Sequence, residues 1–236
     1  MPEDVSDVLI VGAGASGAVA AKHLAEAGFS VTCLEQGRSV DRSEFFGDKP
    51  EWELMAQKRW HPNPNVRGRA DDYPIEVSDS DVNPLMFAGV GGSTVIYAAH
   101  WHRFVPSDFR VRTLDGVADD WPFAYEDLAP YYDHLDREFG VSGYGGDPAY
   151  PRHEPPPLPA FPIGRIGRKA AEGMNRLGWH WWPSYAAINT KSHAGRPPCV
   201  NLGPCNTGCA QGAKSSVDVT YWPKALQQGV EVRTGW

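Results

Sequence analysis

Gly12, Gly14 and Gly17 stand in a G-x-G-x-x-G spacing, and Glu35 follows 18 residues beyond the last of them. Such glycines let a chain turn tightly and bring its backbone against a pyrophosphate, whose charge is met by backbone N–H groups. Each has its own task. Gly12 permits the turn, Gly14 admits the phosphates, and Gly17 lets a helix sit close to the preceding strand. Ala15 and Ser16 complete the turn, and Gln36 follows the acid. A carboxylate at Glu35 can accept both hydroxyls of an adenosine ribose, and it would repel a 2′-phosphate. The ligand implied is a dinucleotide with a free ribose, NAD or FAD, and the motif leaves that choice open.

The elements needed to place these residues are present in order. Val8–Val11 is a short apolar run that reads as a parallel strand buried on both faces. An alanine-rich stretch, Ala18–Ala27, predicts a helix, and Gly28 is placed to end it. Phe29–Leu34 predicts a second strand, which Glu35 closes.

Three further stretches carry chemistry-bearing side chains. In "GVGGSTVIYAAHWHRF", Gly89 to Phe104, the residues Gly91, Gly92, Ser93 and Thr94 could offer N–H groups and hydroxyls to an anion or a planar ring. A purely structural turn is the competing reading. Cys199, Cys205 and Cys209 form a Cys-x5-Cys-x3-Cys loop that could hold an iron–sulfur cluster. A structural role as free thiols or a local disulfide is the alternative, and zinc would need a fourth ligand such as His193. Trp179 to Asn189, "WHWWPSYAAIN", reads as a strand whose rings could wall a substrate cavity or pack on a neighbouring helix.

Composition narrows the function classes. With 25 glycines and 21 prolines in 236 residues the chain reads as loop-rich rather than as a helical bundle. A formal net charge of −7 gives no electrostatic case for nucleic acid, which is bound by clustered Lys and Arg. No run of apolar residues approaches membrane-spanning length. Acids stand at the N-terminus where a signal peptide needs basic residues, so a cytoplasmic protein is the default, with export alongside a partner subunit left open.

Between these stretches, Asp41 to Pro84 has little sustained period and many turn residues, an odd insertion for a simple NAD dehydrogenase. A helix is predicted from Tyr125 within Asp119–Gly143, with acids in its first turn and aromatic residues that serve packing. Tyr150–Gly164 is a proline-rich connector, and Ile166–Leu177 returns to helical spacing. Val217–Gln228 predicts a helix with Pro223 inside it or at its start, then a strand over Val230–Thr234. A strand with nothing after it suggests an incomplete polypeptide.

Taken together, Gly12-x-Gly14-x-x-Gly17 with Glu35, "GVGGSTVIYAAHWHRF", "DWPFAYEDLAPYYDHLDREFGVSG" and "GCAQGAKSSVDVTYWPKALQQGVEV" resemble the glucose–methanol–choline (GMC) family of FAD-dependent oxidoreductases. The likeness runs from Asp7 to Val232 and is strongest to the bacterial sugar-dehydrogenase and pyranose-oxidising branch. It implies an α/β protein: a Rossmann-like FAD-binding domain over residues 1–150, the start of a substrate-binding α+β domain over 151–195, and a return to the FAD domain over 196–236. FAD would lie along Gly12, Gly14, Ala15, Ser16, Gly17, Glu35 and Gln36. Gly91, Gly92, Ser93 and Thr94 would follow the pyrophosphate and ribityl chain, and Ile96, Tyr97 and Ala98 would stand near the isoalloxazine.

Where some relatives carry a flavin-linking His this chain has Ile96, which implies non-covalent FAD; His100 and His102 lie beyond that place and read as hydrogen-bonded loop histidines. The same likeness associates the cysteine loop with sugar-dehydrogenase subunits that relay electrons through an iron–sulfur cluster. It implies hydride transfer from the CH–OH carbon of a sugar or other alcohol to flavin N5, with oxygen, a quinone or a cytochrome as acceptor. The family's catalytic His and its His or Asn partner match no residue here. The alternative is therefore a catalytically incomplete nucleotide-binding fragment.

Overall fold

In the computed structural model, residues 5–70, 72 and 74–236 are described; Glu3 and Asp4 of the N-terminus, and residues 71 and 73 of the irregular stretch, lie outside them. The chain divides into two compact units, one formed by residues up to Ala99 with Val200–Trp236, the other by His100–Cys199. These changeovers fall at other positions than the divisions at 150 and 195 that the family resemblance implies. Tyr150–Gly164 runs wholly within the second unit, where Leu158 is buried and bonds back to Val141.

In the first unit, β1 (Val8–Val11), α1 (Ala15–Glu26) and β2 (Val31–Glu35) make a parallel βαβ unit, with Val8 opposite Val31 and Ile10 opposite Cys33. Alanine explains how tightly α1 sits: Ala18 and Ala21 are fully buried, and neither carries a side chain to hold the helix away. The sheet order is β1-β2-β5, so the final strand, β5 (Glu231–Thr234), pairs parallel with β2 on the side away from β1. Two short helices, α7 (Val217–Thr220) and α8 (Trp222–Gln227), replace the single helix expected before it. Pro223 lies in the first turn of α8, where its missing N–H costs no helical hydrogen bond.

One expectation fails in β1. Leu9 and Val11 are 60% and 83% exposed, so the strand is not buried on both faces. It is the edge of the three-stranded sheet, and no described element covers those two side chains.

The irregular stretch after β2 is organised by packing rather than by periodicity. It holds α2 (Trp52–Arg59) and α3 (Pro64–Arg67), and Phe45, Phe46, Trp60 and Phe87 cluster with Val95 and Ile96. Arg67, buried, forks onto the Asp72 carboxylate at 2.6 Å through two nitrogens and also donates to the carbonyls of His61 and Met86. A bidentate pair satisfied in this way fixes a loop that has no ladder of its own.

The second unit contains α4 (Val111–Asp115), α5 (Tyr125–Phe139), a two-residue parallel pairing of β3 (Ser142–Gly143) with β4 (Leu158–Pro159), and α6 (Arg165–Leu177). Asp127 caps α5 by accepting the Ala124 N–H at 2.8 Å, and Gly140 and Gly178 end α5 and α6. Buried Arg103 donates to Asp133 and Asp136, both at 2.6 Å, and Trp101 Nε1 donates to Asp136 at 2.8 Å. Trp179–Asn189 forms no strand: Ala186 makes isolated bridges to His100 and Ser142. Three tryptophans in four positions cannot alternate between a buried and a solvent face, and Trp181 and Trp182 turn their indole N–H groups to Asn175 and the Tyr144 carbonyl.

Candidate dinucleotide site

The three early glycines occupy three different backbone situations. Gly12 has φ +95°, a conformation that side chains with a Cβ rarely adopt. A Cβ on Gly17 would come within 2.1 Å of the Gly12 carbonyl oxygen, so only glycine lets α1 approach the turn. At Gly14 a Cβ would meet nothing within 4 Å, which leaves open space over the mouth of the helix. Gly14 is also the N-cap of α1, and no side chain bonds there. Ala15 and Ser16 are exposed beside it. An uncapped helix N-terminus with room above it is what an anionic pyrophosphate requires.

Glu35 is buried at the end of β2, and both its oxygens are engaged. Oε2 accepts the Ala13 N–H at 2.7 Å and Oε1 accepts the Gly37 N–H at 2.8 Å. A carboxylate has about four acceptor directions, so two remain for hydroxyls of a ligand. Gln36 is half-buried beside it. Just past β2, a cavity of about 360 Å³ is lined by Arg38, Lys49, Arg59 and Arg69 with Glu44 and the rings of Phe46 and Trp60. Its cations are spread over the irregular stretch, so no motif in the sequence marks it.

The second glycine turn meets the first. The Gly91 N–H donates to the Ala13 carbonyl at 2.9 Å, and a Cβ on Gly92 would stand 2.8 Å from the Gly14 Cα. Trp222 Nε1, from α8, donates to the same Ala13 carbonyl at 2.8 Å. Ser93 and Ala98 are exposed, Gly92, Thr94 and Tyr97 are half-buried, and Ile96 is buried in the aromatic cluster. The structure thus brings Gly14, Gly92 and the α1 N-terminus together. It turns two expected residues elsewhere: Thr94 Oγ1 donates to the Gly91 carbonyl at 2.6 Å, and Tyr97 Oη donates to the Ser215 carbonyl at 2.7 Å.

No spacing rule pointed to Lys214 and Trp222, which reach this site through tertiary contact alone. Lys214 is 1% exposed, and burial lowers its pKa to about 8. Asp218, near it, is pushed up by burial. Cys33 is buried in β2, where desolvation and then the neighbouring Glu35 charge raise its thiol to about 11.

Cys199, Cys205 and Cys209 are half-buried and are not joined in disulfides. Among the described residues no group of three or more His, Cys, Asp or Glu side chains could hold a metal ion. His193 Nε2 lies 2.9 Å from the Arg137 carbonyl, at the end of α5. His100 and His102 are exposed and stack at 6.0 Å, each within 3.4 Å of Ser184 Oγ. No helix among the described residues is long and apolar enough to cross a membrane.

Residues 10–40 match the family model of an NAD(P)-binding Rossmann-like domain. The chain is 42% identical, over 98% of its length, to the 2-methyl-1,2-propanediol dehydrogenase of Mycolicibacterium austroafricanum. It is a homologue of the GMC-type oxidoreductases. A second relative, the fructose dehydrogenase large subunit of Gluconobacter japonicus, is 31% identical over 88% of this chain. The chain matches the N-terminal portion of these GMC proteins and spans 42% and 41% of their respective lengths. The crystal structure of pyridoxine 4-oxidase from Mesorbium loti superposes on 98% of the chain and 42% of its own, with TM-score 0.56 and 18% identity, which shows a shared fold.

Proposed function

We propose that this GMC homologue binds FAD non-covalently across its two glycine turns, and that the protein oxidises a CH–OH group of a sugar or another alcohol. The observation that carries the reading is the contact of Gly92 with Gly14 above an uncapped α1. One turn alone would serve many nucleotides. A second glycine turn seated on the first, with exposed Ser93 and Ala98, extends the cradle past the pyrophosphate. The Mycolicibacterium relative is named as a diol dehydrogenase and the Gluconobacter relative as a fructose dehydrogenase subunit, which supports alcohol and sugar donors as the substrate class.

The chain's own residues divide the work. Backbone N–H groups at the start of α1 receive the pyrophosphate charge. Glu35 holds the turn through Ala13 and Gly37 while its remaining acceptor directions take ribose hydroxyls. The exposed side of Ser93 to Ala98 is the place for the ring system. FAD, when bound, supplies the acceptor for a hydride from the donor carbon. Ile96, which stands at the place of the linking His in some relatives and packs its side chain into the core cluster, supports the non-covalent reading.

The test is uptake and competition. Purified protein incubated with FAD and passed over a desalting column should retain the flavin absorption bands, and excess NADH should not displace them. NADH retained in place of FAD would overturn the reading. Reduction of bound flavin by a panel of sugars and diols then tests the substrate class.

A further inference from the structure

We propose that Lys214 is a positioning residue for the cofactor: it grips the carbonyl side of the second glycine turn and so presents that turn's N–H side to the flavin. The inference rests on FAD binding across the two turns. Lys214 Nζ donates to the carbonyls of Val95 at 2.7 Å, Tyr97 at 3.0 Å and Thr94 at 3.3 Å, all in the second turn. A fourth acceptor, the Cys205 carbonyl at 2.9 Å, ties the same nitrogen to the cysteine loop. An ammonium has three N–H donors, so these four oxygens exceed its capacity and share it.

A trans peptide is planar, with the carbonyl of one residue opposed to the N–H of the next. Holding the carbonyls of Thr94, Val95 and Tyr97 against Lys214 therefore directs the N–H groups of Val95, Ile96 and Ala98 away from it. Ile96 N–H closes onto Ser93 within the turn, whereas Ala98 is exposed. Neighbouring residues reinforce the grip from the same side. Tyr97 Oη donates to the Ser215 carbonyl and Val217 N–H donates to Thr94 Oγ1 at 3.1 Å, while the Lys214 ammonium stands 5.0 Å from the Tyr97 ring centre.

The position is costly for a mere space-filler. A lysine that is 1% exposed loses its hydration, and its partners are carbonyl dipoles rather than a carboxylate in contact. Asp218 favours its charge through space. A methionine of similar length would fill the volume without desolvating a charge. What it would lose is the orientation of the three peptide groups that follow Thr94, Val95 and Tyr97.

The experiment compares unsubstituted protein with Lys214→Met and Lys214→Gln, each loaded with FAD. The readouts are the FAD dissociation constant by flavin fluorescence, the midpoint potential of bound flavin, and circular dichroism for folding. Lys214→Met should fold, bind FAD about tenfold or more weakly, and hold flavin at a more negative potential. Lys214→Gln keeps two N–H donors without charge and should recover part of the affinity but not the potential. A folded Lys214→Met with unchanged affinity and potential overturns the proposal. Failure of both variants to fold also overturns it, because it marks Lys214 as a core staple only. Unsubstituted protein that takes up no FAD defeats the parent reading, and this one with it.

Discussion

Glu35 holds the first glycine turn by its backbone: its Oε2 accepts the Ala13 N–H at 2.7 Å across 22 residues of sequence. The carbonyl of that same residue accepts both Gly91 N–H and Trp222 Nε1. Ala13 is therefore the knot at which β2, the second glycine turn and α8 meet the dinucleotide turn. The acid expected on a ribose is also an internal fastener, and its two roles separate experimentally.

Glu35→Ala should leave the buried N–H groups of Ala13 and Gly37 without partners, at a cost of about 1–3 kcal/mol for each such group. Glu35→Gln keeps one acceptor oxygen and should cost less. Denaturant midpoints measure this. FAD affinity measured on the same variants should fall further for Ala than for Gln.

Gly14 and Gly17 should fail in opposite ways. An added methyl on Gly17 meets the Gly12 oxygen at 2.1 Å, so Gly17→Ala should lower stability by about 1–3 kcal/mol, read from the melting temperature. Gly14→Val meets open space and should leave the melting temperature of FAD-free protein within a few degrees of the parent. Its FAD affinity should drop by at least about tenfold. Equal affinity for Gly14→Val would mean that the phosphates lie elsewhere.

Trp222→Phe removes one N–H donor from a carbonyl that Gly91 still satisfies. It should cost about 0.5–1.5 kcal/mol, against about 3–5 kcal/mol for Trp222→Ala, which also opens a cavity in place of a side chain 1% exposed. Chemical denaturation of the two variants reads the difference.

The Cys33 thiol, raised to about 11 from 9.0 by burial and by Glu35, should resist alkylation at pH 8 in folded protein. Half-buried Cys199, Cys205 and Cys209 should react there, and all four should react in denaturant. Between pH 9 and 11 the folded state holds a proton that the unfolded chain has lost, so this contribution is complete below pH 9 and declines as pH rises toward 11. A Cys33→Ala variant should flatten that part of the stability profile.

Much of the fold was legible because its signals are local. The strand, glycine turn and acid were placed within a residue or two, since a parallel strand, a positive-φ turn and an alanine helix each leave their mark on consecutive residues. The helices starting near Tyr125 and Ile166 were equally visible through spacing and end signals. Trp179–Asn189 was misread because aromatic content suggested a strand, whereas its course follows from indole hydrogen bonds to Asn175 and Tyr144. The exposure of Leu9 and Val11 was hidden for a related reason: hydrophobic residues say that a face can be covered, not that it is.

By itself the sequence determined that a dinucleotide turn exists, which glycines build it, and which acid closes its second strand. These depend on backbone conformations that only certain residues permit, at fixed short spacings. Tertiary structure alone decided that Gly92 would sit on Gly14, that Trp222 would fasten Ala13, and that a buried Lys214 would hold the carbonyls of Thr94, Val95 and Tyr97. Those partners lie some 80 to 210 residues apart in the chain, and no periodicity encodes contacts that form only once the core has closed around them.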